Sequence, residues 1–189
     1  TDAGEEGPNL NPWIQWVTVH SGQCFEDHQI FLLGEGSQLE SKNLVDLVTD
    51  AGLRAWLCGS MNVRWRRSPI GAALPDAWAT DTEPSPSELG TFFRFVRHHV
   101  LEHTNEDSRL GTGDYFAFLR FMVTHGLSMT TMWSILKQLL RERGGRYAWK
   151  RVAILDWLQW DVFRWYYRRL RPHFSTFFLN SVAHLQHTH

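Results

Sequence analysis

The sequence predicts an α/β fold, a mainly parallel sheet flanked by helices and interrupted by a helix-rich insertion. Three observations predict it. Residues 42–58 read as a helix, a glycine turn and a short core strand, which is half of a parallel βαβ unit. Residues 174–179, Phe-Ser-Thr-Phe-Phe-Leu, read as a further strand entered just after Pro172. Between them, from residue 88 to residue 170, the apolar residues recur with a helical period. With 189 residues the chain is expected to form one domain over 1–189, carrying the helical insertion at 84–170.

Composition narrows the classes. Hydrophobic residues make up 43% and charged residues 21%, an ordinary globular balance that excludes disorder as the main state. The formal net charge of -1 gives no general attraction to nucleic acid or to an anionic membrane, so neither is expected as a partner. Ten Trp and twelve Phe are the unusual feature, because such large rings need deep burial or a partner surface. Homo-oligomerisation through the Trp-rich helices is therefore an expectation. Cys24 and Cys58 read as two reduced thiols, with a single bridge between them as the alternative. No signal peptide and no membrane-length apolar run is visible, so the expected location is cytoplasmic. The chain starts at Thr1 without Met and stops at His189 in a histidine-rich stretch, so both ends are expected to be missing.

The elements follow in order. Residues 1–12 are turn-forming and acidic, and Asn11-Pro12 is a helix-start signal: Asn caps free amides, and Pro lacks an N–H that would be unpaired anyway. Trp13 to Ser21 then reads as a helix stopped by Gly22, apolar on nearly every face and so expected to be buried. Residues 22–41 read as loop with a short strand at 30–33. Ser41 is expected to cap a helix over 42–51 with Leu44, Val45, Leu47 and Val48 as its stripe, followed by a strand at 54–58. Residues 60–86, rich in Arg, Pro, Asp and Ser, read as a surface excursion. Four helices are then expected, at 88–103, 114–125, 129–143 and 146–170, before the strand that delivers the chain to Asn180.

Three places offer chemistry. The free amides at the Asn11-Pro12 helix start suit an oxyanion or phosphate, although a cap alone is the simpler reading. The end of the last strand carries Asn180, His184 and His187, and ligands of open α/β sheets bind outside the carboxyl ends of strands. Imidazoles suit zinc, an amide oxygen suits harder ions, and His184 and His187 lie one helical turn apart. Polar residues that merely close a strand, or a tag-like tail, are the competing readings. Arg64, Arg66, Arg67, Arg168, Arg169 and Arg171 would neutralise a phosphate, but arginines ending a helix more often complement its dipole.

Three blocks together resemble the alkaline phosphatase superfamily, in its type I phosphodiesterase/nucleotide pyrophosphatase and sulfatase branches. Ser21-Gly22 followed after five residues by His28 looks like that family's T-G-x5-H-G, with Gln29 replacing the glycine. Leu44 to Gly59 is similar to its helix-turn-strand segment. Arg171 to His184 looks like the strand that ends in an Asp and a following His. The resemblance implies an alkaline phosphatase-like core and a metal-dependent hydrolase of phosphate (di)esters or related sulfate esters. It implies a divalent metal, zinc with calcium or manganese as alternatives. The family's nucleophile position falls on Pro12 or, shifted by one, on Asn11, where an Asn would orient a metal-activated water instead of attacking. The strand-end Asp falls on Asn180 and its His on His184, with His187 nearby. The family's opening Asp and its later Asp-His pair and final His are absent. The alternative expectation is a catalytically silent relative whose aromatic-rich helices bind a protein partner.

Overall fold

Ala55, Trp56, Leu57 and Cys58 are buried in succession and form β1 (Ala55–Cys58). An unbroken apolar run is what a strand covered on both faces requires, and that is the situation of parallel sheets. The structure is a computed structural model that describes residues 12–66, 69–79, 81–101, 110–143 and 148–182. In it β1 pairs in parallel with β2 (Gly71–Leu74) and with β3 (Phe174–Phe177), in the order β2-β1-β3. The chain is therefore mixed α/β with a small parallel sheet.

The helices that cover the sheet are α1 (Pro12–Ser21), α2 (Phe25–His28), α3 (Leu44–Asp50), α4 (Leu89–Leu101), α5 (Thr112–Thr124), α6 (Met129–Glu142) and α7 (Val152–Leu170). Strand pleating sorts them into two layers. Trp56, Cys58, Ala72 and Leu74 face a core with Phe92, Phe118, Phe121, Met122, Val162 and Tyr166 from α4, α5 and α7. Leu57 and Ala73 face the other way, against Val45 of α3 and Val63. Trp56 anchors the larger core. It is fully buried, its ring lies 5.1 Å from that of Tyr166, and its Nε1 donates to Phe163 O at 3.0 Å. Among the described residues no helix is long and apolar enough to cross a membrane.

Several local expectations are corrected. The surface excursion at 60–86 contains β2, whose residues Ala72, Ala73 and Leu74 are buried. Gly-Ala-Ala-Leu has little intrinsic strand preference, so pairing with β1 makes it a strand. The strand expected at 30–33 does not form. Asn62 Nδ2 donates to Leu32 O at 3.2 Å and Gly34 N donates to Asn62 Oδ1 at 2.7 Å, so side-chain bonds take the place of a ladder. Asn43, not Ser41, caps α3: its Oδ1 accepts from Val45 N and Asp46 N while Asp46 Oδ2 accepts from Asn43 N. That reciprocal pattern is a capping box. Ser41 Oγ instead donates to Gln23 Oε1 at 2.6 Å. Helix α1 is buried only along Ile14, Val17 and His20, and Trp13 and Val19 stay exposed.

Candidate functional site

The carboxyl ends of the three strands open onto one crevice. The chain leaves β1 toward β2 on one side and returns as β3 on the other, so the central strand marks a switch point, where open α/β sheets bind ligands. Four segments meet there. Residues 59–62 follow β1, Pro75-Asp76 follows β2, residues 178–180 follow β3, and the first turn of α1 is drawn in from outside. Asn62 Nδ2 donates to Trp13 O at 3.2 Å, and the Trp16 ring meets that of Phe178 edge-on at 5.5 Å.

Asn62 and Asp76 hold this edge together. Asn62 sits at φ +52, in the left-handed region that Asn tolerates better than most residues, and is almost fully buried. Its backbone N–H donates to Asp76 Oδ2 at 3.1 Å, while Trp78 N–H donates to Asp76 Oδ1 at 2.9 Å. Burial raises the Asp76 pKa, and the N–H donors of Trp78, Asn62 and Ala79 only partly offset it. A carboxyl with a raised pKa in a strand-end crevice is a candidate acid or base. Its two occupied oxygens show that it also locks the turn.

On the β3 side, Asp156 of α7 is buried and accepts from Asn180 N at 3.1 Å, from Ser181 N at 2.9 Å and from Ser181 Oγ. It thereby caps the helical turn over 180–182. Gln159 Nε2 donates to Phe178 O at 2.9 Å and leaves so little room that a Cβ on Gly59 would come within 2.9 Å of it. Ser60 Oγ donates to Thr176 Oγ1 at 2.6 Å, tying β1 to β3. Asp76, Asp156, Gln159 and Asn180 line a cavity of about 30 Å³. That volume holds a water or two.

Of the expected site residues, Asn180 lies in this crevice, half-buried, with its backbone held by Asp156. Among the described residues its side-chain amide has no hydrogen-bond partner. Asn11, His184 and His187 lie outside the described residues. Among the described residues no group of three or more His, Cys, Asp or Glu side chains is placed to hold a metal. The crevice lining brings Asn180 beside the Asp76 and Asp156 carboxylates, whose oxygens already accept from N–H donors. Arg168 and Arg169 occupy the last turn of α7, at the amino end of β3 and away from the crevice, where positive charge complements the helix dipole. Cys24 and Cys58 are free, the first exposed and the second buried.

Sequence reasoning missed Asp76, Asn62 and Asp156. Asp76 was legible only as the residue after a strand, and that strand had been read as loop.

Two histidines support α1 beside the crevice. His28 Nδ1 accepts from Ile30 N at 3.1 Å, which leaves the ring proton on Nε2, 3.3 Å from Thr18 Oγ1. His20 is buried against Trp16, its Nε2 has no partner among the described residues, and burial lowers its pKa to about 4. The unfolded chain then takes up the His20 proton at about pH 6.5 and the folded chain only near pH 4, so acid favours unfolding across that window. The expected loss is about 3 kcal/mol between pH 7 and pH 4. His28, whose pKa burial also lowers, acts in the same sense, and Asp76 acts in the opposite one near the acid end. Urea midpoints of wild type and His20→Phe at the two pH values check this, and the variant is expected to lose most of the difference.

Set beside known protein families, curated proteins and solved structures, the chain matches none of them.

Proposed function

We propose that the chain belongs to a metal-dependent hydrolase of phosphate (di)esters or related sulfate esters, built on an alkaline phosphatase-like core. One observation carries the reading. The amino-terminal half of α1 and the exit of β3, far apart in sequence, meet at the carboxyl edge of a parallel sheet through the Trp16–Phe178 ring contact. The same two segments hold the residues that the resemblance assigns to the oxyanion seat and the metal.

On this reading Asn11 and the free amides that begin α1 orient the ester's oxygens, and the positive end of the helix stabilises their charge. Asn180, His184 and His187 hold a divalent ion, with the Asp156 carboxylate fixing the backbone from which Asn180 projects. When bound, such an ion supplies Lewis-acid stabilisation and a water of lowered pKa. Asp76 keeps the opposite wall of the crevice in place.

The test is turnover of an aryl phosphodiester and an aryl sulfate with zinc, manganese or calcium added to metal-stripped protein. Metal-dependent turnover is expected, falling about 10- to 100-fold in Asn180→Ala and His184→Ala. Absence of turnover with every metal, or turnover that ignores both substitutions, overturns the reading.

A further inference from the structure

Helix α6 is inside out for a solvent-facing helix. Thr131 and Gln138 are buried, while Met129, Met132, Trp133, Leu136, Leu139 and Leu140 face solvent. Their spacing of three and four residues puts them on one stripe that runs from Met129 to Leu140, about 17 Å at the rise of an α-helix. Helix α5, joined to α6 by a turn at 125–128, leaves Tyr115, Phe116, Leu119 and Val123 exposed as well. These ten side chains are 45% to 77% exposed. We infer that the chain pairs with a second copy of itself through the apolar faces of α6 and α5.

Area argues for it. Aromatic side chains carry roughly 150–250 Å² each, and with the aliphatic ones taken at the lower end of that range, about half-exposure of the ten presents on the order of 1,000 Å² over the two helices. A stable interface takes about 800 Å² from each partner, whereas scattered exposed residues on a monomer need no explanation. Chemistry argues for it too. A two-fold interface sets the same patch against itself, so the patch must not repel its own copy. The α6 stripe itself carries no charged residue, and the cations that flank the two apolar faces, Lys137 and Arg141 on α6 and Arg120 on α5, are exposed and placed to stay wet at the rim. The neighbouring acids are already paired, Asp114 with Arg94 at 3.4 Å and Glu142 with Arg151 at 2.5 Å, so they add no negative charge to the patch. Trp, Tyr, Phe and Met are also the residues enriched at interface centres.

Sedimentation equilibrium of the full chain over the micromolar range is expected to show a dimer. Trp133→Glu is expected to weaken it at least about tenfold with unchanged far-UV circular dichroism, because Trp133 contributes nothing to the buried core. Should that variant fail to fold, Leu140→Ser reads the same contact. A monomer throughout the range, or a dimer insensitive to both substitutions, overturns the proposal. So does a monomer that co-sediments through these residues with phosphatidylcholine–phosphatidylserine vesicles, which would make the face a lipid surface instead.

Discussion

Asp156→Ala is expected to cost about 4 kcal/mol of folding stability, because three donors lose a buried, charged acceptor at once. The donors are Asn180 N–H, Ser181 N–H and Ser181 O–H, all in the turn that follows β3. An effect of that size is a large part of the 5–15 kcal/mol that holds a typical domain. Asp156→Asn is expected to lose nearly as much, since its new NH2 group faces N–H donors. Urea unfolding measures both. If the proposed hydrolase activity is present, its turnover in variants that remain folded is expected to fall with stability, because the same carboxylate holds the Asn180 backbone. A loss below 1 kcal/mol would show that Asp156 does not cap this turn.

Asn62→Ala is expected to have a comparable effect, about 4 kcal/mol, for a different reason. Three side-chain bonds disappear, to Trp13 O, Leu32 O and Gly34 N, at about 1 kcal/mol each. Ala at φ +52 adds about 1 kcal/mol of backbone strain. Asn62→Gly separates the two contributions. It keeps the backbone free and loses only the bonds, so about 3 kcal/mol is expected. The loss should also appear locally, as faster hydrogen exchange in α1 and at residues 30–36, since Asn62 is what pins both to the sheet edge. Equal stability of the Ala and Gly variants would remove the strain contribution.

The two residues show where sequence reading stops. Asn62 sits in a stretch rich in Arg and Ser that reads as surface, and nothing local marks it as a hub, because its partners lie 28 to 49 positions away. Asp156 lies on an aromatic-rich helix, where a carboxylate normally signals a wet face. Here it is turned inward to cap a turn 24 positions later. Asp76 was hidden in the same way, behind a strand of glycine, alanine and leucine too weak to recognise without its neighbour.

What the sequence by itself determined is what arises over one or two turns of chain. Apolar periodicity set α4, α5 and α6 to within about two residues and the end of α7, whose start at Val152 falls six residues after the expected 146, behind a 3-10 turn at Ala148–Arg151; Gly22 and Gly52 stopped α1 and α3, and the unbroken run at 55–58 made a strand covered on both faces. Only the tertiary structure decided which side of α6 faces water, that residues 71–74 are a strand, and that the start of α1 and the end of β3 share one edge. Local preferences are too small, a few tenths of a kcal/mol per residue, to outweigh long-range pairing and side-chain bonds of about 1 kcal/mol each. Where such bonds span dozens of residues, the outcome belongs to the fold.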